Sequence, residues 1–156
     1  MIQRAVLSFC ALAVFALGSA AYAGAQSPGD MPGLPPQPKV HPAGIPKDAV
    51  MLSPCVFTMG EHWANPKNLP IGPIYGTYKG KPVFTEVMID QKDFAAGKSF
   101  DETLKPLPGY KIDHVDVDFE PKGHPGYPIP HFDVHAFYVP HAVHMQFCPE
   151  GFHVAK

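Results

Sequence analysis

Between Tyr110 and Pro140 the side chains alternate with a period of two in two separate runs, and this alternation limits the possible folds more than any other stretch. In the first run Val115, Val117 and Phe119 share one face, and His114, Asp116, Asp118 and Glu120 share the other. In the second, Phe132, Val134, Ala136 and Tyr138 alternate with His131, Asp133 and His135. A loop dense in Pro and Gly joins the runs, so the stretch predicts a long-loop antiparallel hairpin. Register can slip only in steps of two without turning a strand over. Pairing the apolar rows therefore also sets the His/Asp rows side by side. The hairpin has one greasy face and one face bearing three histidines and up to four carboxylates.

Such a polar face is either a metal site or a wet surface. A strand rises about 3.3 Å per residue, so neighbours at i and i+2 can share an ion, whereas i and i+4 stand roughly 13 Å apart. His131 and His135 on one regular strand therefore cannot hold the same metal. The geometry predicts Asp133 with one flanking histidine, completed from other strands, or Asp133 fixing the tautomer of a ligating imidazole. Candidate donors are His131, Asp133, His135, His62, Glu86 and His114, with His144 also within the available set. Mixed imidazole and carboxylate ligands suit a divalent transition metal, Zn, Fe, Mn or Cu, and do not choose among them. The competing expectation is a solvated sheet face, or a contact surface, where His and Asp pair for a few tenths of a kcal/mol each. No serine sits in a nucleophile-elbow context, no glycine-rich phosphate loop precedes a helix, and no CxxCH is present, so no reaction follows from the residues.

The rest of the folded region reads as further strands. Val50–Met59 is a strand candidate that Pro54 confines to an edge or bulge. The segment from Gly60 to Pro66 reads as a polar loop carrying the only tryptophan, Trp63. Ile74–Tyr78 and Pro82–Ile89 flank Lys79-Gly80 as a tight hairpin. There Glu86 shares an apolar row with Phe84 and Met88, and reads either as a partly exposed strand carboxylate or as a buried ligand or proton carrier with a raised pKa. Asp90–Gly97 and Ser99–Leu104 read as helical turns, the second with a Ser99/Glu102 capping box. Val143–Cys148 is a last short strand. The fold class is mainly β: an antiparallel sheet, sandwich or barrel-like, with one or two short helical segments.

Residues 1–23 have the form of a secretory signal peptide: Arg4, an apolar run from Ala5 to Leu17, and a small-x-small site at Ala21-Tyr22-Ala23. Residues 24–48, rich in Pro, Gly and Ala, are expected as an extended tether, and residues 49–156 as one β domain. The expected location is periplasmic or secreted, with no integral membrane segment after cleavage. Cleavage removes the only arginine and leaves 11 lysines against 14 carboxylates. That balance is a poor match to nucleic acid or anionic membranes. In an oxidising compartment Cys55 and Cys148 are expected as a disulfide; two buried thiols or a thiolate ligand are the alternatives.

Taken together, CVFTMGEHWANP, LPIGPIYGTYKGKPVFTEVMI, the hairpin ending PHFDVHAFYVP, and HMQFC resemble a bacterial family of small exported domains of unknown function. That family was first described from a thermophile protein under extracytoplasmic-stress sigma/anti-sigma control. The resemblance spans about Cys55 to Cys148. It implies a predominantly β fold and self-association, here a homo-oligomer, and brings no catalytic residues.

Overall fold

The computed structural model describes residues 33–149. The expected leader and the start of the tether lie outside these residues. One six-stranded antiparallel sheet organises them, in the order β1-β2-β3-β4-β6-β5. The strands are β1 (Val50–Val56), β2 (Gly60–Ala64), β3 (Ile74–Tyr78), β4 (Lys81–Asp90), β5 (His114–Glu120) and β6 (His131–Phe137). The sheet is mainly β as expected and open, with β1 and β5 as its edges. No helix among the described residues is long and apolar enough to cross a membrane.

The two hairpins form where the alternation puts them. β5 pairs with β6 from His114 opposite Phe137 to Glu120 opposite His131. Lys79 and Gly80 take positive φ of 51° and 74°, the two-residue turn whose twist matches its flanking strands. Pro54 lies on edge strand β1, whose pairing with β2 is interrupted twice by irregularities. Opposite Phe84 on β3 stands Gly76, where any added methyl would overlap the Phe84 ring. This glycine lets Phe84 lie flat on the sheet, fully buried.

Three local expectations are corrected. Gly60–Ala64 is a strand rather than a loop, because β1 and β3 pair with it on both sides although GEHWA has no β-branched residue. Asp90–Gly97 yields helix α1 (Gln91–Ala95), but Ser99–Leu104 is not helical. Glu102 has φ of 57° and pairs with Lys105 at 2.9 Å instead of capping. Val143–Cys148 is not a strand: His141–His144 form the single turn α2 after Pro140.

Both sheet faces are covered by irregular chain. On the face of Trp63 and Tyr75, Ile45 and Ala49 pack with Leu107, so the end of the proline-rich segment is part of the core. The side chain of Gln37 also hydrogen-bonds both backbone groups of Met51. Over the other face, Phe147 and the bonded pair Cys55–Cys148 pack against Phe84 and Phe137. Further along, Tyr127 and Ile129 of the β5–β6 loop pack against Met88, Ile74 and Ala64. The polar row of β6 is therefore buried. His131 is 0% and His135 1% exposed, whereas Val115, Val117 and Phe119 are 49%, 61% and 44% exposed. The expected shared rows are present, but the greasy row of β5 faces outward, since covering loops settle on its opposite side.

Candidate metal centre

In an antiparallel ladder directly opposed residues point the same way. Glu86, His135 and Asp116 oppose one another across β4, β6 and β5, and Met88, Asp133 and Asp118 form the next rank. His62 joins from β2, where it opposes Gly76. The row resolves into three groups whose donor atoms lie within 4.8 Å of one another. They are His124/His131/Asp133, His62/Glu86/His135, and His114/Asp116/His141/His144. As strand rise requires, His131 and His135 fall in different groups. His114 is separated from the other five expected donors.

The first group has the most constrained protons. His131 Nδ1 lies 2.6 Å from the Ile129 carbonyl and His124 Nδ1 lies 3.1 Å from the Pro125 carbonyl. A carbonyl oxygen only accepts, so both Nδ1 atoms carry hydrogen and donate it. In the neutral rings both Nε2 lone pairs then face each other across 3.1 Å. Asp133 Oδ1 adds a third electron pair 3.0 Å from His131 Nε2, and Asp133 Oδ2 lies 3.7 Å from His124 Nε2. Three lone-pair donors thus converge with no hydrogen of their own between them. One proton or one cation must lie there.

Without a metal, His124 takes that proton. The Asp133 carboxylate beside it pushes its pKa up to about 9. The 3.1 Å contact makes His131 Nε2 the nearer acceptor, and Asp133 stabilises the charge. Burial pushes the Asp133 carboxyl up, but His124 and the other neighbouring imidazoles hold it below the ordinary carboxylate range. Even so, a single imidazolium proton cannot satisfy both partners; Asp133 Oδ1 finds no hydrogen-bond partner among the described residues.

The second group is deeper and looser. His62 Nε2 lies 3.8 Å from Glu86 Oε2, and His135 Nε2 lies 3.6 Å from Glu86 Oε1. Ser53 Oγ sits 3.1 Å from His62 Nδ1 and orients the ring. Both ring nitrogens of His135 and Oε2 of Glu86 lack hydrogen-bond partners among the described residues. Burial first, then the Asp133 charge, raises Glu86 to about 8, so the carboxyl is largely protonated at neutral pH. Burial lowers His62 to about 3 and His135 to about 4, leaving both neutral. A buried carboxyl and two neutral imidazoles at these spacings form a proton-holding pocket whose donor atoms could also hold a cation.

His124 was absent from the expected donors. Its signal was weak: a histidine in the Gly- and Pro-rich loop, with Gly123 and Gly126 at positive φ and an isolated bridge to Tyr127. His141 acquires a role only because the segment after Pro140 is helical.

Residues 77–119 match the TTHB210-like family, described as hypothetical protein TTHB210. That segment carries Glu86, His114 and Asp116 but none of the β6 donors. The crystal structure of hypothetical protein TTHB210 from Thermus thermophilus is similar, with a TM-score of 0.51 and 24% identity. The match covers 58% of this chain and 87% of that one. It supports the fold alone. The thermophile source and the hypothetical status fit the resemblance to an uncharacterised family. No functionally curated protein matches.

Proposed function

We propose that the protein is an exported domain that binds a divalent transition metal ion on the buried face of its sheet, foremost at His124, His131 and Asp133. The observation that carries this reading is the facing pair of Nε2 atoms with Asp133 beside them. The two Nε2 atoms stand 3.1 Å apart, with Asp133 Oδ1 3.0 Å from that of His131 and Asp133 Oδ2 3.7 Å from that of His124, close to the spacing of donors that share one ion. Donors bonded to one zinc ion at about 2.0–2.2 Å and at tetrahedral angles stand roughly 3.3–3.6 Å apart. Carbonyls on the remote Nδ1 atoms are the usual means by which proteins aim ligating imidazoles. His62, Glu86 and His135 form an adjoining pocket for a second ion. The donor set favours Zn, Fe, Mn or Cu over Ca or Mg. The leader-like residues 1–23 and the Cys55–Cys148 bridge support export.

Protein purified without a histidine tag, loaded with Zn2+ and passed through metal-free buffer tests the reading by elemental analysis. At least one tightly held ion per chain is expected, with one fewer in His124→Ala. Retention of no zinc would overturn the proposal.

A second reading, self-association, rests on a different observation. Val115, Val117 and Phe119 form an exposed apolar row on an edge strand, a surface suited to a second copy. Phe94 extends it next to Phe132. The two readings are compatible, because the apolar row and the donor groups lie on opposite faces.

A further inference from the structure

The remaining donor group shares no residue with the two interior groups, and its geometry is the most complete. β5 contributes His114 and Asp116 at i and i+2, which places both on one face. α2 contributes His141 and His144 at i and i+3, one helical turn apart. Stacking of His144 on Phe137, with ring centroids 3.9 Å apart, holds α2 over the end of β6.

The carboxylate sits among the imidazoles. Asp116 Oδ2 is 3.7 Å from His114 Nε2, 3.7 Å from His141 Nδ1 and 3.6 Å from His144 Nε2. His141 Nδ1 and His144 Nε2 are 2.9 Å apart. Two donors about 2.1 Å from one ion at tetrahedral angles stand about 3.4 Å apart, so these spacings bracket a four-coordinate centre.

Proton placement again points inward. His144 Nδ1 lies 3.1 Å from the Thr58 carbonyl and must donate to it, leaving the Nε2 lone pair toward Asp116 and His141. His114 Nδ1 donates to Asp113 at 3.0 Å. Its Nε2 is buried, faces Asp116, and has no hydrogen-bond partner among the described residues. A backbone carbonyl and a carboxylate thus aim two of the three imidazoles. Calcium and magnesium prefer oxygen ligands and are poorly served by three nitrogens and one carboxylate. An anion would meet Asp116.

This group also differs from the interior ones in access. Asp116, His141 and His144 line an open cleft of about 390 Å³ whose wall also includes Asp118 and His135. The His141 side chain is 64% exposed. We infer that His114, Asp116, His141 and His144 form a separate, solvent-accessible transition-metal site that binds a borderline ion such as Zn2+, Co2+ or Cu2+. It is independent of the interior groups and exchanges its ion more readily than they do.

Co2+ titration of the full chain tests this, read by the visible absorption of the bound ion and by calorimetry. His141→Ala and Asp116→Asn are expected to weaken one class of Co2+ binding at least ~10-fold and to leave the rest. His124→Ala is expected to leave that class intact. The chosen side chains are at least partly exposed, and circular dichroism confirms that each variant is folded. His144→Ala is a poorer probe because its ring supports Phe137. Isotherms for His141→Ala and Asp116→Asn that superimpose on the wild type would overturn the inference. So would loss of all Co2+ binding in folded His124→Ala, since the sites would not be separate.

Discussion

Replacing Glu86 by glutamine separates a structural role for this carboxyl from a ligand role. Glu86 is 3% exposed, opposes His135, and is raised from an ordinary 4.5 to about 8. In the metal-free protein at pH 7 the fold must hold a proton on a group that the unfolded chain ionises. That interval of roughly 2.5 pH units costs about 3 kcal/mol at ~1.4 kcal/mol per unit. The sign follows from proton uptake. Between pH 4.5 and 8 the native state binds the proton and the unfolded state does not, so the penalty grows as pH rises and levels off above 8. Glutamine keeps the shape and has no proton to hold. Glu86→Gln is expected to stabilise the metal-free protein by up to about 3 kcal/mol at pH 7, with the gain vanishing near pH 4. The same change should weaken ion binding at His62 and His135. Urea unfolding in the presence of chelator at pH 4, 7 and 8.5 gives the three values needed. Equal destabilisation at every pH would refute the reasoning, because it would mean that Glu86 is held by its contacts and not forced to stay neutral.

Four further outcomes follow from the geometry. His62 and His135 are buried neutral, so their contribution is complete above pH 6.5 and is lost as pH falls toward 4. In the Glu86→Gln background, denaturant unfolding should show a loss of roughly 2–3 kcal/mol per pH unit over that window. Gly76→Ala should cost on the order of 1–3 kcal/mol in urea unfolding, because the methyl meets the buried Phe84 ring. Substituting Cys55 and Cys148 by serine opens a loop of 93 residues and should lower stability by up to about 4 kcal/mol, measured against the oxidised wild type. Zn2+ at 100 times its dissociation constant should add about 2.7 kcal/mol of stability, seen as a rise in melting temperature that EDTA reverses.

Much of the sheet was legible because alternation is a local property. Which residues of β5 and β6 share a face follows from their order along the chain. Which face is buried does not, since Tyr127, Ile129 and Phe147 cover the polar side from segments with no period of their own. β2 was hidden because GEHWA has no β-branched residue and only Trp63 favours a strand; its neighbours on both sides impose the conformation. α2 spans one turn, too short for a helical repeat to register, yet it alone brings His141 and His144 to β5. Glu86 was ambiguous in the sequence: its row with Phe84 and Met88 allowed a buried carboxyl or a partly exposed one, and the chain that covers this face decides for burial. His124 reaches Asp133 only through the path of a Gly- and Pro-rich loop, and sequence spacing does not encode that path.

Anomalous diffraction from crystals of the tag-free protein grown with Zn2+, collected on both sides of the zinc absorption edge, tests the central claim most directly. A peak about 2.0–2.2 Å from Nε2 of His124, Nε2 of His131 and a carboxylate oxygen of Asp133 is the predicted result. A map with no peak there, and with a proton-mediated contact still joining the two imidazoles, would contradict it.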